Sequence, residues 1–464
     1  MKISFNGAAQ TVTGSNHLIE VNGHKLLLDC GLFQGKRKES YEKNVTFEYD
    51  PASIDAVLLS HAHIDHSGNL PNLVKNGFTG PIYATKPTTT LGEIMLQDSA
   101  HIQEQDAFYV NKKRSARKEE PVEPIYTVAD ALEAIERYYP VNYEEAFSPV
   151  PGVTVRFYDA GHILGSAAIR LDVEENGEHK SLWFSGDIGR IGLPLIPDPV
   201  LPSDVDYMLM ECTYGDENHD SVESAYQKFK EVVLRTVKRG GKVIIPAFAV
   251  GRTQEIVYFL NQMIAEKAIE PLPVYVDSPL AVAASKIFKQ HQEYFDEETC
   301  AFIRESRHMA LDFAGLHYVS EVEESKSLND KKGPMIIISA SGMAEAGRIL
   351  HHLKNNIEDK NNTVLIVGWQ APNTLGRRLV DKEPKVRIFG EEYTLRADVV
   401  TINGLSAHAG KDFLLKYALA VKGRVKKIFL VHGEEEAAEA FMSTLKSSGF
   451  DQVEYPAEKD WVEI

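Results

Sequence analysis

Cysteine is nearly missing from this chain. The 464 residues hold three, Cys30, Cys212 and Cys300, with no CxxC pair, which excludes a disulfide framework and a thiolate zinc site. Long apolar runs are missing too: no window approaches the roughly 18 consecutive apolar residues of a membrane span. The N-terminal MKISFNGAAQTVTGSNHL lacks the apolar core of an export signal, so the expectation is a cytoplasmic chain with no membrane partner. Cations are in deficit, 50 Lys and Arg against 67 Asp and Glu for a net charge of −17. That charge repels polyanions and excludes a protein that coats nucleic acid non-specifically, leaving room only for a local positive or metal-lined groove. Internal repeats and low-complexity tracts are also absent.

What is present is the composition of folded soluble domains, 43% apolar and 25% charged. The length predicts two or three packed units of about 100 to 200 residues. Short β-branched runs stopping at polar or glycine-containing turns recur, as in HKLLLDCG, IDAVLLSHAH, VTVRFYDAGH, SLWFSGDIG and DYMLMECTYG. Chemistry-bearing residues therefore fall at strand ends. From residue 222 the pattern alternates helix-periodic stretches with the strands KVIIPAF, PVYVDS, MIIISAS and TVLIVGWQ, which predicts a parallel, doubly wound sheet over 217–394. The later RADVVTINGLSAHAG and KKIFLVHGEE return to the strand-then-histidine pattern. The middle domain thus reads as an insertion, giving 1–216 and 395–464 to an outer domain. The charged and then helical stretch from Gln103 to Val141 reads as a surface excursion of that outer domain.

The strongest local signal is 61-HAHIDH-66 after the strand IDAVLLS. His61 and His63 alternate toward one side, while Asp65 and His66 lie in the turn where a second ion can approach. Imidazole and carboxylate together suit Zn²⁺, with Mn²⁺ the alternative where oxygen ligands dominate. A solvated turn is the bland reading, and three histidines with an aspartate in six residues weigh against it. His162 in DAGHILGS and Asp187 in FSGDIGR occupy the same strand-end position beside glycine. Singly, each is as well read as a satisfied loop residue; their shared placement shifts both toward ligands. Asp187 has two oxygens with which to bridge two ions. Asp29, closing HKLLLDCG, is the expected carboxylate behind a ligating imidazole, with a plain turn residue as the alternative.

These residues, in order, resemble the metallo-β-lactamase superfamily, whose pattern is an early Asp, HxHxDH, a later His and a later Asp. The inserted domain, together with Glu211 in MLMECTYGD, His408 in GLSAHAG and His432 in FLVHGEE, resembles its β-CASP branch. PAFAVGRTQE, VDSPLA, ISASGM and GWQAPNTLGRRL look like the bacterial and archaeal relatives of the pre-mRNA 3′-end cleavage nuclease. The resemblance implies an αββα sandwich with an inserted doubly wound β-CASP domain, and a two-zinc ribonuclease acting on single-stranded RNA in the cleft between the two domains. His61, His63, His162 and Asp187 would hold one ion, and Asp65, His66, Asp187 and His432 the other. A hydroxide between the ions would be the nucleophile, Asp65 its proton acceptor, and His408, bonded to Glu211, the general acid for the departing 3′ oxygen. Endonucleolytic cleavage leaving 5′-phosphate and 3′-hydroxyl ends is the main expectation. A 5′-to-3′ exoribonuclease, a DNA-directed β-CASP nuclease and an ester or lactone hydrolase are its rivals. The resemblance also allows a homodimer through the C-terminal segment.

In the inserted domain, turns at Ser278-Pro279, Ser341-Gly342 and Gly376-Arg377 are read as strand-to-helix junctions. Their N–H groups can face RNA phosphates, and Ser341, Gly342 and Arg377 are the first choices. Helix capping explains any one of them almost as well. Cys30 and Cys212 adjoin functional acids, but alternation turns them to the opposite face, so buried inert thiols are expected.

Overall fold

The computed structural model describes residues 1–35, 37–306 and 309–464. The chain divides into two compact units, the first comprising Met1–Ile191, Asp198–Asn218 and His408–Ile464, the second Gly192–Pro197 and His219–Ala407.

Strands are numbered along the chain. In the first unit, one sheet holds β1 (Lys2–Gly7), β2 (Asn16–Val21), β3 (His24–Leu28), β4 (Ala56–Leu58), β5 (Ile82–Thr85) and β6 (Tyr138–Val141), with β21 (Trp461–Glu463) beside β1. β21 through β3 pair antiparallel, and β3 through β6 pair parallel. The other sheet runs β7 (Val153–Asp159), β8 (Ala167–Glu175), β9 (Glu178–Phe184), β10 (Tyr207–Glu211), β19 (Lys427–Val431) and β20 (Val453–Glu454). Its β9, β10, β19 and β20 are parallel. The facing sides share a core in which Ile3, Phe5, Leu26 and Leu28 of the first sheet meet Phe157, Ile169, Leu209 and Phe429 of the second. The outer side of the first sheet packs on helices through Leu70, Leu73, Leu96, Ala131 and Ala134. The outer side of the second packs through Leu414, Tyr417, Phe441 and Leu445. Because each sheet is apolar on both faces, only a four-layer αββα stack buries all of it.

The second unit is a six-stranded, wholly parallel sheet. Its order is β13 (Leu316–Val319), β12 (Val274–Asp277), β14 (Met335–Ser339), β11 (Lys242–Pro246), β15 (Thr363–Ile366) and β18 (Asp398–Thr401). The continuous runs KVIIP and MIIIS are fully buried, as strands covered on both faces must be. Ile244, Ile337 and Ile366 pack on one face against Ile349, Leu353, Leu375 and Leu379. Val243, Ile245, Ile336 and Ile338 alternate to the other. A small hairpin, β16 (Lys385–Ile388) and β17 (Glu391–Thr394), forms a separate sheet whose Val386 and Ile388 join the core of Ile244, Ile337 and Ile366.

Two sequence expectations change here. The stretch beginning at 395 does not return to the outer domain at once: β18 pairs with β15, and the first unit resumes at His408. A four-residue β-branched run gives no local clue to which sheet it will edge. The 103–141 excursion proves to be the end of one 31-residue helix, Lys86–Ala116, then the helix Val128–Ile135 and strand β6. The helix Val128–Ile135 opens on a capping box made by Thr127 and Asp130.

Candidate metal centre

Every residue singled out in the first unit lies at the carboxyl end of a strand or in the loop facing one. Asp29 follows β3, residues 61–66 follow β4, His162 follows β7, Asp187 follows β9, Glu211 closes β10 and His432 follows β19. Parallel register sets Leu28 beside Leu58 and Glu211 beside Val431, so residues far apart in sequence emerge on one edge. His408 is carried there by a single bridge to Gly189. Packing at this edge is close enough to require glycine. A Cβ on Gly31 would lie 1.7 Å from the Asp65 carbonyl oxygen, and one on Gly189 would lie 1.7 Å from that of Gly161. Asp29 and His432 themselves adopt φ of 61° and 46°, a left-handed conformation that costs a non-glycine residue of order 1 kcal/mol. Hydrogen bonds offset that cost. The Asp29 carboxylate accepts from Ser60 N (2.7 Å), Ser60 Oγ (2.9 Å) and Ser15 Oγ (3.0 Å), and His432 N donates to the Ala8 carbonyl at 2.7 Å.

The candidate ligands come together in neighbouring groups. His63 Nδ1 lies 3.0 Å from His61 Nε2 and 3.2 Å from His162 Nε2. Both partner nitrogens are 3.5 Å from Asp187 Oδ2. On the other side His66 Nε2 is 3.2 Å from Asp187 Oδ1 and 3.4 Å from His432 Nε2, which stands 3.6 Å from Asp65 Oδ2. Asp187 therefore faces both groups. Ligand atoms, one each from His61, His63, His162 and Asp187, lie within 4.8 Å of one another, and so do those of Asp65, His66 and His432 and those of Asp187, Glu211, His408 and His432.

The donor chemistry fits cations. The His61, His63 and His162 nitrogens converge on one another and on Asp187 Oδ2, and Asp187 Oδ1, in a residue only 1% exposed, makes no well-formed hydrogen bond. Burial holds His61, His63 and His162 below their ordinary value, in the neutral form that ligates. Burial pushes Asp187 up, but His432, His66 and His408 outweigh it and hold the carboxyl ionised. Behind the ligands, Asp29 Oδ2 takes a 2.7 Å bond from His66 Nδ1. That bond fixes the ring so that Nε2 faces inward.

His408 stands beside this cluster with Nδ1 3.0 Å from Glu211 Oε2 and 4.0 Å from Asp187 Oδ2. Burial lowers its pKa, but the Glu211 and Asp187 carboxylates win and raise it to about 9. Glu211, fully buried, is also held by Ile188 N and the Thr213 hydroxyl. Thr213, which in turn bonds His432 Nδ1 at 3.1 Å, went unread in the sequence, as did Ser15 and Ser60. Its only signal is the hydroxyl two residues after Glu211 in ECTYG.

The second-unit candidates are placed differently. Ser278 caps the helix Pro279–Gln290 through Ala281 N. Ser341 and Gly342 do not open a helix, because the next one begins at Ile349. The Ser341 hydroxyl accepts from Glu345 N and Ala346 N at 3.2 and 3.3 Å, closing a tight local turn. Arg377 lies inside the helix Leu375–Val380, its guanidinium paired with Asp381 at 2.9 Å. Cys30 and Cys212 are buried, unpaired thiols.

A four-layer α/β fold gathering histidines and aspartates on one strand edge defines a metal-dependent hydrolase. Residues 18–178 match the metallo-beta-lactamase superfamily domain, 253–379 the Beta-Casp domain, and 392–456 the Zn-dependent metallo-hydrolase RNA specificity domain. The chain belongs to the β-CASP ribonuclease family of the metallo-β-lactamase superfamily. It is 40% identical over 436 residues to Ribonuclease TTHA0252 of Thermus thermophilus, covering 94% of each chain. It is 30% identical to the transcription termination factor FttA of Methanothermobacter thermautotrophicus over 93% of this chain and 67% of that one. An RNase J-like protein of Methanocaldococcus jannaschii is 30% identical over 96% and 95%. A solved structure of a protein of unknown function from Enterococcus faecalis V583 shares the fold, with a TM-score of 0.55 at 13% identity over 100% of this chain and 99% of that one. Among the described residues no helix is long and apolar enough to cross a membrane.

Proposed function

We propose that this protein is a two-zinc endoribonuclease that hydrolyses single-stranded RNA to 5′-phosphate and 3′-hydroxyl ends in the cytoplasm, with manganese able to replace zinc. The observation that carries the reading is Asp187, whose two oxygens face His61 and His162 on one side and His66 and His432 on the other. The ribonuclease relatives and the RNA specificity domain support RNA as the substrate. His61, His63, His162 and Asp187 would hold one ion, and Asp65, His66, Asp187 and His432 the other. When bound, the ions supply an ionised water at neutral pH and neutralise charge gathering on the phosphoryl oxygens.

The chain's own groups do the rest. Asp65, 25% exposed while most of the ligands are buried, is placed to orient the attacking water and take its proton. The attached carboxylate of Glu211 keeps His408 protonated, and His408 gives its proton to the departing 3′ oxygen. Asp29 does no chemistry and acts by orienting His66. Ser341, Gly342 and Arg377 enter the proposal as contacts to RNA phosphates; half-buried Ser341 and exposed Arg377 support it, whereas Gly342 is buried.

The test is cleavage of matched, end-labelled single-stranded RNA and DNA by wild type and His63→Ala, with and without chelator. The expected result is internal RNA products that vanish with chelator and fall at least about a hundredfold in the variant. Stepwise mononucleotides would make the enzyme an exonuclease. Equal DNA cleavage would withdraw the RNA assignment, and an unchanged His63→Ala would remove the catalytic one.

A further inference from the structure

We propose that the outer end of the helix Lys86–Ala116 is an anchoring surface for a single-stranded RNA chain. This inference rests on the ribonuclease reading for the identity of its ligand. The helix starts at the metal-bearing edge, where the Thr85 and Thr88 hydroxyls donate to the Gly165 carbonyl at 2.6 and 2.8 Å, three residues past His162. At 1.5 Å per residue its 31 residues extend about 45 Å. Its buried positions end at Ala100, so the remaining four turns stand on the surface with one face uncovered. That face carries Phe108, 67% exposed, and Tyr109, 62% exposed, with ring centroids 5.8 Å apart.

Next come five of the chain's 50 cations in seven positions, Lys112, Lys113, Arg114, Arg117 and Lys118, with no acid between them. Arg114 is committed to structure, pairing with Glu119 at 3.3 Å and donating to the Glu120 carbonyl. Asn111 fastens the returning loop by bonding both the N–H and the carbonyl of Val122. Among the described residues, no carboxylate pairs with Lys112, Lys113, Arg117 or Lys118. Tyr109, Lys113 and Arg117, one helical turn apart in succession, line a depression of about 310 Å³ with Asp106 and Glu119 also on its wall.

Exposed rings beside cations without direct ion pairs suit a single strand, because bases stack on aromatic faces while phosphates take the charges. Neither feature is needed for folding. In a chain carrying −17 overall, the stretch 104–123, where these five cations balance Glu104, Asp106, Glu119, Glu120 and Glu123, repels RNA less than the average surface does. The surface reads no sequence; it holds the strand at a distance from the metal edge, so it serves long substrates and not dinucleotides.

The experiment measures binding of a fluorescent, unstructured RNA of about 30 nucleotides by anisotropy. It uses the full-length protein in chelator, so that no strand is cut. Lys112→Ala/Lys113→Ala/Arg117→Ala is expected to weaken binding at least about tenfold and to flatten the log–log salt slope by about 2, three cations at roughly 0.7 each. Phe108→Ala/Tyr109→Ala is expected to lose at least about fivefold with the slope unchanged. A control removing three exposed lysines elsewhere, Lys38, Lys326 and Lys385, makes the same change in net charge and is expected to keep wild-type affinity. Thermal unfolding of each variant reports folding. Wild-type affinity and slope in the triple variant would overturn the inference. So would an equal loss in the control, or a triple variant that binds RNA normally but no longer self-associates, which would assign the surface to an acidic second copy. Metal-dependent cleavage with no effect of the helix variants sinks the anchor alone; RNA binding through the helix without cleavage sinks the ribonuclease reading alone.

Discussion

The strand ends of the two units make an instructive comparison, since both gather histidine, aspartate and serine where parallel strands stop. In the first unit the polar atoms are left facing one another, His63 Nδ1 within 3.2 Å of two other imidazole nitrogens and an Asp187 oxygen with no well-formed hydrogen bond. In the second, Asp277 at the end of β12 is buried and fully answered. It accepts from Ser325 Oγ and His352 Nε2 at 2.6 Å each and pairs with Arg348 at 2.7 Å. The first cluster leaves a buried carboxylate oxygen unanswered; in the second the Asp277 carboxylate is answered by the chain itself, with only His352 Nδ1 left without a partner. Residue type and position are alike, and the completeness of hydrogen bonding separates a ligand site from a structural one.

A matched pair of substitutions tests this most strongly. Asp187→Asn is expected to abolish retained metal, read by elemental analysis, and to cut RNA cleavage at least about a thousandfold. Asp277→Asn should leave the metal content intact but cost about 3 kcal/mol of stability, because the Arg348 guanidinium loses its counter-charge in a largely buried setting. Metal loss in the second variant, or an unaltered Tm, would collapse the distinction. Its pH signature has a definite sign. Burial alone would raise the Asp277 carboxyl, but the bonds from His352, Ser325 and Arg348 hold it below the ordinary value. Its stabilising contribution is therefore complete above the unfolded carboxylate pKa near 4 and drains away as pH falls below it. Asp277→Asn should show a correspondingly shallower acid limb in its unfolding curve.

Glu211→Gln probes the His408–Glu211 pair beside the metal edge. The neutral amide keeps the shape but removes the largest charge raising His408. Activity is expected to drop about a hundredfold with metal retained. A general acid works only while protonated, so the falling limb of the rate profile should move to lower pH than in wild type. An unmoved limb would take the proton-donor role away from His408.

The metal edge was legible because its residues sit in short, dense motifs after apolar strands. HAHIDH carries its signal within six residues, whereas His162 in DAGH and Asp187 in SGD gained weight only from their shared placement after apolar strands, and His432 in LVHG only from the family resemblance. What escaped was whatever depends on pairing across sequence. Ser15 and Ser60 matter only because both reach Asp29, and Thr213 only because it joins Glu211 to His432. The Asp277–His352 lock spans 75 residues and leaves no local trace. For the same reason DVVT read as outer-domain strand and became β18, and SGMAEAG read as a helix start though the helix waits until Ile349.

Arg377→Ala gives the smallest expected effect and the finest test of the comparison. Its guanidinium is 46% exposed but held by both Asp381 oxygens, Nε at 3.1 Å and a terminal nitrogen at 2.9 Å. A phosphate must compete with that carboxylate, and the exposed pair itself contributes only about 0 to 1 kcal/mol. KM for RNA is therefore expected to rise less than about threefold with kcat unchanged. Asp381→Ala, which frees the arginine, should lower KM if Arg377 meets a phosphate at all. If neither substitution moves KM, Arg377 belongs with Asp277 among the groups the second unit satisfies by itself.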